Sequence, residues 1–119
     1  MASRALDATV RHQAATAIVD LHGEINGFAD AAINDAYAEA ESHSPRAIVL
    51  NFTGVDYINS TGIALIVGLL ARARASHISL RAVGLSPHYV EIFQITRLSD
   101  FVELFADEAS ALQPGDASA

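Results

Sequence analysis

Reactive chemistry in this chain gathers at one place. The run Ile58-Asn59-Ser60-Thr61-Gly62 sets two hydroxyls and a carboxamide between an apolar stretch at residues 47–52 and a second at 63–71. A serine at such a junction has three uses. As a nucleophile it needs the sharp turn of a hydrolase elbow, with Gly two residues before it; Ile58 occupies that position, so a hydrolase is not expected. As a helix N-cap it satisfies a free backbone N–H, and Asn, Ser and Thr, all present here, are the preferred caps. As a phosphate acceptor it places new negative charge at the positive end of a helix, where the dipole and free N–H groups tolerate it. A cap exposed to solvent remains reachable, so the last two uses are compatible.

Other sites are scarce. The five histidines, His12, His22, His43, His77 and His88, include no pair three or four apart on a helix, and there is no cysteine to join them. A metal centre is therefore not expected. A Gly-x-x-x-x-Gly-Lys phosphate loop is impossible in a chain without lysine, and Gly-x-Gly-x-x-Gly is absent. No catalytic residue and no cofactor is expected; nucleotide binding with slow hydrolysis is the weakest of the readings.

Composition narrows the partner. The chain has 119 residues, 51% of them hydrophobic, enough for one domain with its own core and against intrinsic disorder. Fourteen acidic residues face seven arginines, a net charge of −7, which argues against nucleic acid, since phosphate backbones are bound through Lys and Arg. The absence of cysteine fits a reducing compartment. Residues 1–10 carry charge and no long apolar run, so no signal peptide is read there. The most apolar stretch, 63–70, is far shorter than the ~20 residues of a membrane span, so no direct membrane insertion is expected. These features together predict a cytoplasmic domain. The charge is unevenly spread: residues 54–98 hold four arginines and two acids, and the rest holds three arginines and twelve acids.

The elements that must position Ser60 are read from periodicity. Residues 6–11 and 17–22 alternate apolar and polar and lie close together, which predicts two antiparallel strands. Residues 23–27 are read as breaking the second strand. A helix over 28–42 is predicted from Ala29, Ala32, Ile33, Ala36, Tyr37 and Ala40, and Ser44-Pro45 stops it. The apolar run at 47–52 reads as a strand covered on both faces, followed by a loop over 53–59 that contains Tyr57 and Ile58. Residues 63–75 carry no charge before Arg72 and read as a helix packed on the sheet with only its last turn in water. Arg72 and Arg74 there complement the helix dipole. A strand at 78–83 precedes a helix capped by Ser86 with Pro87 at its first position and burying Val90, Ile92 and Phe93. A strand at 101–105 and a short helix at 107–112 complete the order ββαβαβαβα, an α/β fold with a mixed, mostly parallel sheet. The tail, residues 113–119, reads as disordered.

Residues 51–65, NFTGVDYINSTGIAL, resemble the signature of STAS domains, shared by sulfate transporters and anti-sigma factor antagonists. Leu21-His22-Gly23-Glu24-Ile25-Asn26 resembles the family's turn after its second strand, and Gly84-Leu85-Ser86-Pro87 with Phe93 and Thr96-Arg97-Leu98 resembles its last helix and loop. The resemblance spans residues 5–112, a single STAS domain. It implies partner switching: a non-enzymatic protein that binds an anti-sigma factor with serine kinase activity, is switched off by phosphorylation at Ser60, with Thr61 as the alternative acceptor, and is reset by a phosphatase. By the same resemblance, the phosphosite loop includes Asn26, Asn59, Thr61 and Gly62, with Gly62 allowing close backbone approach; Tyr57 and Ile58, in the loop beside the expected acceptor, are read as either core plugs or docking contacts to a partner. Two family aspartates are Asn26 and Asn59 here, swaps that keep size and hydrogen bonding and remove a charge. Related domains also serve as non-switching scaffolds in signalling complexes or as accessory subunits of ABC-type lipid transporters, which is the alternative reading.

Overall fold

The computed structural model describes residues 5–112. The chain runs β1 (Asp7–Gln13), β2 (Thr16–Ile25), a 3-10 turn (Gly27–Ala29), α1 (Asp30–Glu41), β3 (Ala47–Ile58), α2 (Ser60–Ala75), β4 (Ser79–Val83), α3 (Pro87–Ile95), a second 3-10 turn (Leu98–Asp100), β5 (Glu103–Phe105) and α4 (Glu108–Ala111). The predicted element order is the observed one. The strands lie in the sheet in sequence order, β1 antiparallel to β2 and every later neighbour parallel.

That order decides where the helices go. Successive parallel strands joined by crossovers of one hand, each stepping the same way across the sheet, carry their helices to one face. The main core accordingly joins Val19 and Leu21 of β2 and Ile48, Leu50 and Phe52 of β3 to Ile33 and Tyr37 of α1, Ile66 and Leu69 of α2 and Phe93 of α3. The alternate residues Ile18, Val49 and Val83 point the other way and meet Ala111 of α4. Strands β2 and β3 are thus covered on both faces where they cross the centre of the sheet, which is why residues 47–50 read as an unbroken apolar run.

Several expectations are corrected. Gly23 does not end the second strand: β2 continues to Ile25 through register shifts between Asp20 and His22 and between Gly23 and Glu24. Gly23 absorbs the irregularity at φ 109°, a conformation open to glycine. Residues 53–58 are not a loop: they extend β3, because the second half of β2 pairs with them (Glu24 with Tyr57, Ile25 with Ile58). Gly23 and Glu24 in one extension, and Gly54 and Asp56 in the other, are poor strand formers that mask the pattern; each extension exists because the other supplies its ladder bonds. The third concerns α2, which is not immersed except for its last turn. Ala64, Val67, Gly68 and Ala71 are exposed along one face of it. At the C-terminal end, β5 is shorter than predicted, and Phe101 lies half exposed after the second 3-10 turn. Of the α3 residues expected inside, Phe93 is buried and packs edge-on against Phe52, while Val90 and Ile92 are half-buried. The tail at 113–119 lies outside the described residues.

The α4 face carries a polar cluster. Arg11 Nε and Nη2 donate to the two carboxylate oxygens of Asp20 at 2.6 and 2.9 Å, and Arg11 also reaches Glu108 at 2.7 Å. The Arg11 hydrogen bonds, with a further one from Asn51, hold the Asp20 carboxyl below the usual carboxylate range against the opposing effect of its partial burial. A carboxylate depressed by folding contributes stability above its unfolded pKa, near ~4, and that contribution is lost as the pH falls through the folded value. Asp20→Asn is therefore expected to lower stability at neutral pH, with the difference from wild type shrinking as urea melts are repeated at progressively more acid pH.

Candidate functional site

The paired ends of β2 and β3 run beyond β4, whose last partner on β3 is Asn51. This two-stranded extension delivers Asn26 and Asn59 side by side at the C-terminal edge of the sheet. The Asn59 N–H donates to the Ile25 carbonyl at 3.2 Å. Each asparagine has an extended backbone and caps the helical turn that begins after it. Asn26 Oδ1 accepts from the Phe28 N–H at 2.9 Å and starts the 3-10 turn; Asn59 Oδ1 accepts from the Gly62 N–H at 2.8 Å and starts α2. The carboxamide retains the one property a cap requires, an oxygen acceptor, so replacing a carboxylate by asparagine preserves the loop's geometry.

The cap of α2 is therefore Asn59 and not Ser60. Ser60 is the first helical residue and is exposed, as is Thr61 after it. At these first two positions an α-helix supplies no acceptor for the backbone N–H. The site thus presents two hydroxyls next to two outward amides at the positive end of a 16-residue helix. Gly62, by contrast, is buried. A Cβ placed on it would lie 2.0 Å from the Ile25 carbonyl oxygen, so the first turn of α2 rests directly on the end of β2.

Of the other residues singled out from the sequence, Tyr57 is half exposed on the extension beside this turn. Ile58 is a core residue, 4% exposed, and Gly62 faces inward, so neither offers a side chain to a partner; both position the loop. Gly27 approaches Thr61, with its Cβ position 3.6 Å from Thr61 Cγ2, and places the adjacent Phe28 next to the first turn of α2. Phe28 is 97% exposed. It is spaced neither three nor four from the buried Ala29, Ile33, Ala36, Tyr37 and Ala40, and that offset is the sequence signal that could have found it.

Tyr89 of α3 carries no such signal. Its hydroxyl accepts from the Ile58 N–H at 2.9 Å and lies 3.3 Å from the Ile58 carbonyl, to which it donates. Because β4 has ended, this side chain takes the place of a neighbouring strand and ties α3 to the residue just before the cap. It also lines a cavity of about 160 Å³ with Phe52, Asp56, Ile58, Gly84 and Ser86 at the same sheet edge. Tyr89→Phe keeps the ring and leaves both Ile58 backbone groups without their partner. The expected loss is about 1–3 kcal/mol of stability, with faster amide exchange at Ile58 and Asn59, read by denaturant melts and hydrogen exchange.

The histidines do not assemble into a ligand set. His12 and His43 lie against each other with ring centroids 3.9 Å apart and planes tilted by 42°, but among the described residues no group of three or more His, Asp or Glu is placed to hold a metal. Among the same residues no helix is long and apolar enough to cross a membrane.

Comparison with known proteins agrees with this geometry. An anti-sigma-B factor antagonist of Listeria monocytogenes is 29% identical over 82 residues, 69% of this chain and 72% of the relative. The crystal structure of an anti-sigma factor antagonist from Mycobacterium paratuberculosis superposes with a TM-score of 0.78 at 19% identity, covering 91% of this chain and 92% of that one. The Bacillus cell fate determinant SpoIIAA, in its phosphorylated form, superposes with a TM-score of 0.68 at 21% identity over 94% of this chain and 99% of that one. At these identities the two solved structures speak to the fold. A family model described as STAS domain matches residues 7–111, nearly the whole described length. The five-stranded mixed sheet, the paired extension that ends in two capping asparagines, and the exposed serine that opens α2 are thus the parts of a member of the STAS domain family.

Proposed function

We propose that this protein is an anti-sigma factor antagonist: a non-enzymatic, cytoplasmic binding protein that docks on an anti-sigma factor with serine kinase activity and is released when Ser60 is phosphorylated. A phosphatase returns it to the binding form. The observation that carries this reading is the division of labour at the start of α2. Asn59 fills the cap, which leaves the Ser60 hydroxyl at the surface with no structural duty among the hydrogen bonds of the described residues. A phosphate there would meet the helix dipole and the outward N–H groups, so the fold tolerates the modification. The change falls on the docking surface instead. Nearly two negative charges enter a region flanked by exposed Phe28 and Tyr57, where a partner would have to desolvate them. The name of the Listeria relative supports the same reading.

The test uses the anti-sigma factors of the source organism, each purified and mixed with this chain in the presence of ATP. Phosphate on Ser60, mapped by mass spectrometry, together with loss of the complex on modification, is the expected result. An anti-sigma factor that binds the chain and leaves both Ser60 and Thr61 unmodified would remove the switch. Failure of every anti-sigma factor to bind would remove the function.

A further inference from the structure

The sequence reads α2 as buried because it holds no charge before Arg72, yet the helix lies on the surface. Its outward face is Ser60, Ala64, Val67, Ala71 and Arg74, spaced four, three, four and three apart and therefore in one line along the helix. A solvent-facing helix face is ordinarily polar. Beside the C-terminal half of this line lies a groove of about 400 Å³. Val67 and Phe101, 44% and 50% exposed, form its walls, and the buried Leu70 and Leu98 line it with Ala71 and Arg74.

The charges around the groove are not all matched. Arg72 pairs with Glu41 at 3.2 Å and Arg97 with Asp100 at 2.7 Å. Arg74 has no carboxylate partner among the described residues; its guanidinium lies over the Phe101 ring, 5.0 Å from the centroid. A cation held on an aromatic wall above an apolar floor complements an apolar side chain with a carboxylate next to it. An anionic bilayer has the charge for Arg74 but would face the whole chain, which carries −7. A protein segment can be confined to this side, where Arg74 is the groove's cation that no carboxylate among the described residues meets.

We propose that this groove is a second docking site for the same anti-sigma factor, taking an amphipathic segment whose apolar side chains enter between Val67 and Phe101 and whose carboxylate pairs with Arg74. The inference rests on the reading of Ser60 given above. It adds an anchor on the same helix face, roughly 10 Å from the acceptor at Val67 and roughly 20 Å at Arg74 by helical rise. An anchor so far from the hydroxyl affects how tightly the partner holds the chain and leaves the transfer step alone.

The experiment compares wild type with Val67→Asp, Arg74→Glu and a matched reversal, Arg46→Glu, just before β3 and outside the groove lining. All three sites are exposed, and thermal melts check that each variant folds. With the anti-sigma factor that binds wild type, Val67→Asp and Arg74→Glu are expected to raise Kd at least tenfold. They are also expected to raise the KM for Ser60 phosphorylation by a similar factor with kcat within twofold, while Arg46→Glu changes neither by more than twofold. Wild-type affinity in both groove variants would overturn the inference and leave the Ser60 reading standing. No binding by wild type would overturn both. Sedimentation of wild type as a dimer that Val67→Asp dissociates would make the occupant a second copy. Flotation of wild type, but not Val67→Asp, with vesicles of phosphatidylcholine and phosphatidylglycerol would make it a lipid surface. Either result also overturns the proposed occupant.

Discussion

Ser60→Asp is expected to weaken binding to the anti-sigma factor by a hundredfold or more while leaving the domain as stable as wild type or slightly more so. The two effects have opposite signs for one reason. At the first position of α2 the new carboxylate faces the positive end of the helix and outward amides, an interaction of about 0.3–1 kcal/mol. In the complex the same charge must lose its water against a partner surface that accepts a neutral hydroxyl, and uncompensated desolvation or like-charge contact costs several kcal/mol, with about 1.4 kcal/mol for each tenfold in Kd. Ser60→Ala removes a hydroxyl that holds no part of the fold, so both affinity and melting temperature are expected to stay near wild type, and phosphate incorporation is expected to fall to whatever Thr61 accepts. Titration calorimetry and thermal melts on the two variants read the pair of signs directly. A destabilised Ser60→Asp would show that the acceptor is structural after all.

Gly62→Ala is expected to be severely damaging although it adds a single methyl. In an ordinary helix this change is stabilising by up to about 1 kcal/mol, because alanine loses less backbone entropy. Here the added Cβ would stand 2.0 Å from the Ile25 carbonyl oxygen and 2.7 Å from its carbon, both backbone atoms that cannot rotate away. Either α2 lifts from the end of β2, which breaks the contact that sets Asn59 and Ser60 in place, or the β2–β3 extension separates. Overpacking of this kind costs about 3 kcal/mol or more where backbone must move. Gly68, further along the same helix, is the internal comparison. Nothing lies within 4 Å of its Cβ position, so Gly68→Ala is expected to raise stability by about 1 kcal/mol. Urea melts of the two variants should therefore move in opposite directions, and partner binding should fail with Gly62→Ala.

The caps explain why the junction at Ser60 was legible in the sequence and its cap was not. Any of Asn59, Ser60 and Thr61 has the side-chain oxygen a cap needs, and a one-residue shift in where the helix begins exchanges their roles. What selects Asn59 is the hydrogen bond from its own N–H to Ile25, which fixes it as the last extended residue. That bond joins residues 34 apart and exists only once β2 and β3 have paired. Tyr89 is hidden for the same reason: its contact with Ile58 crosses 31 residues, from the first turn of α3 to the end of β3.

Local pattern by itself determined the element order, the buried stripe of α1 from Ile33 to Ala40, the Ser86 cap of α3, and the junction at which Ser60 sits, because periodicity and capping act over three or four residues. Tertiary structure alone decided the rest. It extended β2 past Gly23 and β3 past Phe52, since a strand interrupted by glycine and acidic residues persists when a partner satisfies its backbone. It also decided which side of an apolar helix faces water. The uncharged run at 63–71 specifies that α2 is apolar all round; only the packing of Ile66, Leu69, Leu70 and Ala73 onto the sheet leaves Ala64, Val67 and Ala71 outside, in line with the serine.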